Sequence, residues 1–207
     1  MPKNTFIGLH AEKRRRIYEG LIEAFYVAGY EAVTVADIVK ACRIPRGSFY
    51  MYFEDKFDAF LYVLKHAQEE KMTYINPLLK RLDREAFFDI YEALVKAGID
   101  YAEDNPKLVK LWMRFYHSSN YRLDDYWRQF ETQAIDILKG YLLKDQARGY
   151  IRPDVDLLAL AKMLYHIQAI DIMERFAQGV KTEAILTSVR AFLDIIKFGI
   201  KEVSDEK

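Results

Sequence analysis

The run Arg46-Gly47-Ser48-Phe49-Tyr50-Met51-Tyr52-Phe53 carries the clearest chemistry in this 207-residue chain. Wound as a helix, it puts Phe49 and Phe53 on one face and Gly47, Ser48 and Met51 on the opposite one. The face turned from the phenylalanines is small, polar or aromatic and holds no acid, with Arg46 at its rim. Such a face suits the major groove of a duplex. Nothing on it repels phosphate, glycine permits close approach, and donors stand where base edges would be. Phosphate contacts are at hand around it. Thr34 sits where another helix begins and offers a hydroxyl and backbone N–H groups. Tyr50 and Tyr52 bring phenolic donors, and Lys56 places a cation at the N-terminus of the following helix. Lys13-Arg14-Arg15-Arg16 is the densest basic run.

These side chains need short helices around a tight turn, and the flanking sequence provides them. Apolar spacings of three and four dominate the chain and period-two alternation is nearly absent, so the fold class is all-α, with about nine helices. A first helix is expected over about His10–Ala28, with Ile17, Leu21, Ala24, Phe25 and Ala28 on one face and Gly29 as its stop. Thr34 and Asp37 have capping-box spacing for a second, short helix that buries Val35, Ile38, Val39 and Cys42. Arg43-Ile44-Pro45 makes the turn, because proline suits a helix start and disfavours a helical residue before it. The third helix covers about Arg46–Phe53, and Asp55 caps a long one from Lys56 to about Tyr74. Asn76-Pro77 then breaks the chain. Further helices are expected at about Arg84–Glu103, Pro106–His117, Leu123–Gln146, Val155–Ala177 and Lys181–Val203.

Two short helices joined by a turn and backed by a third have the layout of a helix-turn-helix. The residues Gly29-Tyr30, Thr34-Val35-Ala36-Asp37-Ile38 and Ile44 through Lys56 resemble the DNA-binding domain of TetR-family transcription regulators. The turn Gly149-Tyr150-Ile151-Arg152-Pro153-Asp154 is similar to a connector of that family. The resemblance implies a DNA-binding domain at residues 1–56 and a helical ligand-binding and dimerisation domain at 57–207. It implies that Arg46, Gly47, Ser48 and Met51 face the groove while Thr34, Tyr50, Tyr52 and Lys56 hold phosphates. Two departures stand out. Arg43 occupies a place where the family usually has glycine, adding a cation to the turn. Pro45 replaces a serine or threonine, removing a hydroxyl and an N–H.

Beyond about residue 58 lie most of the aromatics. Each could be plain core, but together they suggest a cavity between helices. The resemblance implies an effector pocket there, and we expect Tyr62, His66, Trp112, Tyr116, Trp127, Phe130, Tyr165, His166 and Gln168 to line it. His166, Gln168 and Asp171 interrupt an otherwise apolar helix, where a polar group must be paired or face a cavity. Many aromatics and few charges point to a largely apolar or aromatic small molecule. Ile185, Val189, Phe192 and Ile196 form a stripe suited to half of a four-helix homodimer interface.

Composition narrows the field. The chain has 31 Lys+Arg against 31 Asp+Glu; residues 1–56 hold nine against seven, a weak local excess of positive charge. No two glycines lie closer than nine residues apart, which removes Gly-rich phosphate cradles. The four histidines have no i, i+4 pair and Cys42 is alone, so neither a metal centre nor a disulfide is expected. No nucleophile elbow or other catalytic signature is visible, no cofactor is implied, and we expect no enzyme activity. Charged residues recur too often for a membrane span or a secretory leader, so the expected setting is the cytoplasm. The reading is a ligand-responsive regulator, a repressor released from a palindromic duplex operator by a small molecule. Its rivals are a helical protein-binding adaptor and an enzyme that uses the C-terminal pocket.

Overall fold

The computed structural model describes residues 2–117 and 121–199, side chains excepted at 121–123, 168 and 169. Among the described residues the chain forms eleven α-helices and no strand. They are α1 (Asn4–Ile7), α2 (Ala11–Ala32), α3 (Val35–Cys42), α4 (Arg46–Tyr52), α5 (Lys56–Leu79), α6 (Phe87–Asp104), α7 (Pro106–Tyr116), α8 (Tyr121–Ala147), α9 (Leu157–His166), α10 (Ile172–Ala177) and α11 (Thr182–Phe198). The chain divides into two compact units. One holds the residues up to Tyr74 with Tyr101–Trp127; the other holds Ile75–Asp100 with the chain from Arg128 onward.

In the first unit α2 buries Ile17, Leu21, Ala24 and Phe25. Gly29 leaves helical geometry at φ 75°, so the expected stop is real, and one further turn runs to Ala32. Gly20 lets α3 approach α2 so closely that a Cβ there would stand 2.6 Å from Cys42 Cα. The Cys42 thiol donates to the Ile17 carbonyl at 3.4 Å, and burial pushes its pKa up to about 12, so it packs as a small apolar group. At the start of α5 the Asp58 N–H donates to Asp55 Oδ1 at 2.8 Å and the Glu54 N–H to Asp58 Oδ2 at 3.1 Å. The expected Asp55 cap therefore forms. Tyr18 donates to Glu70 at 3.0 Å and Tyr101 to the Ala67 carbonyl at 2.9 Å, holding α2 and the C-terminal end of α6 against α5.

In the second unit the carboxylate of Asp145, itself buried, accepts the Phe87 N–H at 2.6 Å. An acid from α8 thus supplies the N-terminal partner that α6 lacks. Arg190 of α11 binds Glu92 of α6 at 2.7 Å and Glu183 at 3.0 Å, and Lys197 faces Asp89 at 3.4 Å. The two carboxylates around Arg190 raise its pKa above the ordinary arginine value.

Four boundaries depart from the periodicity. A short α1 precedes the first expected helix. The long helix passes Asn76-Pro77 and ends at Leu79, continuing into a 3-10 turn at Lys80–Asp83. Pro77 removes one bond in the last turn, where little remains to be broken. The expected Val155–Ala177 helix is split by a π turn at Ile167–Asp171, whose extra residue resets the apolar register. The helix expected to reach Val203 is seen to Phe198, with residues 200–203 outside the described set.

Candidate nucleic-acid interface

α3, the turn and α4 form the surface expected to face a groove. At the start of α3 the Asp37 N–H donates to Thr34 Oγ1 at 3.2 Å. The Thr34 N–H and hydroxyl both donate to Asp37 Oδ2, at 3.0 and 2.6 Å. The capping box is therefore complete, and Thr34 turns both donors inward. The remaining first-turn N–H groups, those of Val35 and Ala36, belong to the set a helix leaves without internal partners. The Thr34 hydroxyl and amide hold the Asp37 carboxyl below its ordinary pKa. A depressed pKa in the folded chain stabilises it above the ordinary carboxylate range, and that contribution fades as pH falls through the folded value. Thr34→Ala should cost about 1 kcal/mol of stability and remove this pH dependence at α3. Urea unfolding at neutral and acid pH checks both.

The turn is carried by Arg43 in left-handed geometry at φ 54°, with its N–H on the Lys40 carbonyl at 3.2 Å. This is the conformation glycine adopts without strain, which accounts for the glycine of the resembling family at this place. Pro45 stands one residue before α4, as its N-cap. Phe49 and Phe53 are fully buried with ring centroids 5.6 Å apart, while Arg46, Gly47, Tyr50 and Met51 are exposed and Ser48 half-exposed. α4 thus offers an acid-free surface pinned from behind.

Two expected phosphate holders sit differently. Tyr52 is 5% exposed, packed edge-on to Phe6 with Lys13 over its ring, so it belongs to the core and not to the surface. Lys56 donates to the carbonyls of Glu31 and Val33 at 3.2 and 3.1 Å and lies over the Tyr30 ring. It fastens the end of α2 to the start of α5. The basic run divides likewise: Arg14 binds the carbonyls of Ile7 and Leu9, Arg15 pairs with Glu19, and Arg16 is exposed. Residues absent from the sequence reading also reach this surface. Lys3 and Thr5 bind the C-terminal end of α4. They precede the first periodic apolar residue, so no spacing signal marked them.

The expected pocket residues fall in both units. Trp112, Tyr116 and Trp127 come together in the first, with ring centroids of 5.2 Å between the tryptophans and 5.1 Å between Tyr116 and Trp127; Phe115 joins them. Tyr62 and His66 lie on α5 against Tyr18, and His66 faces Glu69 at 3.4 Å and Glu70 at 3.8 Å. In the second unit Tyr165 is buried and Phe130 half-buried. His166 is exposed beside Glu131 at 3.7 Å, so its polar neighbour is met at the surface and not in a cavity. The Gln168 side chain lies outside the described residues. A groove between α6 and α11 is lined by Phe88, Asp89, Glu92, Arg190, Leu193, Asp194 and Lys197, none of them an expected pocket residue. Of the α11 stripe, Ile185 and Val189 are 0% and 2% exposed, spent on the chain's own core. Phe192 and Ile196 are half-buried, while Ile195 and Phe198 are 53% and 76% exposed. The four expected residues straddle the helix face, and the open part lies one residue around from the buried one.

Residues 17–63 match the profile of the tetR family of bacterial regulatory proteins. HTH-type transcriptional regulator YdgC of Bacillus subtilis (strain 168) is 24% identical over 155 residues, which cover 74% of this chain and 75% of that one. YwcC of the same organism is 33% identical over 90 residues, 42% of this chain and 38% of its own. Among solved structures, a TetR-family transcriptional regulator from Syntrophomonas wolfei is similar with a TM-score of 0.79 at 18% identity, covering 93% of this chain and 98% of that one. The regulator FadR from Bacillus subtilis, in complex with stearoyl-CoA, is similar with a TM-score of 0.72 at 16% identity, covering 90% and 99%. An all-helical fold with an exposed, acid-free helix-turn-helix is the layout these DNA-binding regulators of transcription share. Within residues 17–63 the chain is similar to the TetR family.

Proposed function

We propose that this protein is a homodimeric repressor that residues 1–56 hold on a palindromic operator and that an apolar small molecule releases. The observation that carries the reading is the α4 surface: Arg46, Gly47, Ser48, Tyr50 and Met51 open to solvent over a buried phenylalanine pair. In a dimer two such helices would stand about 34–36 Å apart, one turn of duplex. Arg46 and Ser48 would read base edges, Met51 would touch a thymine methyl, and Tyr50, Arg43 and the N-terminus of α3 would meet phosphates. Nothing in this reading requires catalysis, and it places the protein with the chromosome in the cytoplasm. No helix of the described residues is long and apolar enough to cross a membrane.

For the effector, the rings of Trp112, Phe115, Tyr116 and Trp127 favour a flat or long apolar group. The stearoyl-CoA held by the B. subtilis FadR makes fatty acyl thioesters the first class to try. α7 couples this cluster to the reading head. Lys107 pairs with Glu23, and Arg114 donates to the Tyr26 carbonyl at 2.6 Å, with Lys110 over the Tyr26 ring. A ligand that parts the rings would shift α7, and α2 with it. Coupling of about 1–3 kcal/mol between the two sites suffices for release.

Selection of bound duplexes from a random pool, then titration of the complex with stearoyl-CoA, free stearate and an aromatic acid, tests both halves. An enriched palindrome supports repression from an operator, and an unenriched pool overturns it. Release by one of the three names the effector class, and a complex indifferent to all three removes the apolar-ligand reading. For the dimer, Ile195→Asp with Phe198→Asp should give monomers in sedimentation; a persisting dimer moves the interface off α11.

A further inference from the structure

We propose that the N-terminal segment Lys3–Phe6 latches the C-terminal end of α4, making Lys3 and Thr5 positioning residues for base readout. A helix leaves its last four carbonyls without internal partners. In α4 these belong to Phe49, Tyr50, Met51 and Tyr52. The Phe49 carbonyl accepts the Phe53 N–H at 2.8 Å. The other three are met from the chain's beginning. The Lys3 ammonium donates to the Tyr50 carbonyl at 2.8 Å, the Thr5 hydroxyl to the Met51 carbonyl, and the Lys3 N–H to the Tyr52 carbonyl at 2.8 Å. All four acceptors are therefore accounted for, three of them by two residues 46 or more positions away in sequence.

The segment is fixed from the other side as well. The Phe6 ring is buried against Tyr52, Phe53 and Tyr62, with centroids at 5.7, 5.0 and 4.9 Å, so it touches α4, its exit and α5 at once. Arg14 of α2 binds the carbonyls of Ile7 and Leu9 at 2.5 and 2.8 Å. A seven-residue helix is too short to hold itself, and this one has no side-chain cap at its N-terminus. The latch takes the place of a C-terminal cap. It fixes the pitch at which Tyr50 and Met51 meet the groove before DNA arrives, so less ordering is left for the binding step. The Lys3 charge also sits at the negative end of the helix dipole. Residues 3–9 lie outside the 17–63 segment that the family profile matches.

The inference rests on the DNA-binding reading, and the test separates the two. Dissociation constants are measured for the full chain on its selected duplex and on a random duplex of equal length, with thermal unfolding alongside. Thr5→Val keeps the shape of the side chain and removes its donor. It should weaken binding to the selected duplex about five-fold, because the end of α4 must then be ordered during binding. Affinity for random DNA should stay as it was, the unfolding midpoint should fall by no more than one solvent-exposed hydrogen bond accounts for, and Thr5→Ser should restore selected-duplex binding. Equal affinity of Thr5→Val and the unsubstituted chain for the selected duplex overturns the latch, and so does an equal loss on both duplexes. A chain that selects no sequence at all overturns the DNA-binding reading, and the positioning role falls with it.

Discussion

Gly20→Ala should destabilise the chain by about 1–3 kcal/mol, the usual result of forcing a methyl group into a filled contact. The added Cβ would stand 2.6 Å from Cys42 Cα, 2.8 Å from Cys42 N and 2.9 Å from the Ala41 carbonyl carbon. All three are backbone atoms, so no side chain can swing aside and α3 itself must move. α3 leads directly into the Arg43 turn and α4, so operator affinity should fall further than the loss of stability accounts for. Gly47→Ala is the matched control. No atom stands within 4 Å of a Cβ at that position. Alanine favours the helix over glycine by up to about 1 kcal/mol, so stability should rise. Affinity should still fall, because the methyl group projects from the surface proposed to meet DNA. One chemical change thus has opposite signs in urea unfolding at two positions. A Gly20→Ala chain as stable as its parent would show that the α2–α3 contact is looser than described.

Arg46→Ala should weaken binding to the selected duplex by about 1–3 kcal/mol, up to roughly a hundredfold, if its guanidinium reads a guanine edge. Binding to random DNA should change little, because base contacts carry the difference between the two. Arg46 is exposed at the first turn of α4, and its removal leaves the phenylalanine pair beneath untouched. Lys56→Ala should behave otherwise. It loosens the end of α2, where the ammonium holds the Glu31 and Val33 carbonyls, and so lowers stability together with affinity for every sequence. The salt slope separates the two roles. It flattens by about one counterion for Lys56 if the ammonium also touches phosphate, and stays unchanged if its work is confined to the carbonyls. Equal losses on selected and random duplexes for Arg46→Ala would remove that residue from base readout.

The features legible in the chain are those encoded within a few residues of one another. Thr34 and Asp37 close their capping box, Asp55 caps α5, Gly29 leaves helical geometry, and Phe49 and Phe53 pin α4, each through contacts three or four residues long. Arg43 is a partial case: its place in the turn was evident, while its left-handed φ follows from the route the chain must take between α3 and α4. Periodicity failed where an element is short or its register shifts. α1 is four residues long, and the π turn at Ile167–Asp171 displaces every apolar position after it by one.

Local sequence was enough to specify an all-helical chain with a surface fit for a DNA groove, because helix caps, apolar spacing and turn residues act over single turns of backbone. Which side chains remain free for that surface was set by long-range packing. Tyr52 is enclosed by Phe6, Lys56 is drawn to the carbonyls of α2, Ile185 and Val189 are absorbed into the chain's own core, and the last carbonyls of α4 are met by Lys3 and Thr5. Burial and partner choice depend on which distant segments arrive at the same place, and spacing along one helix carries no record of that.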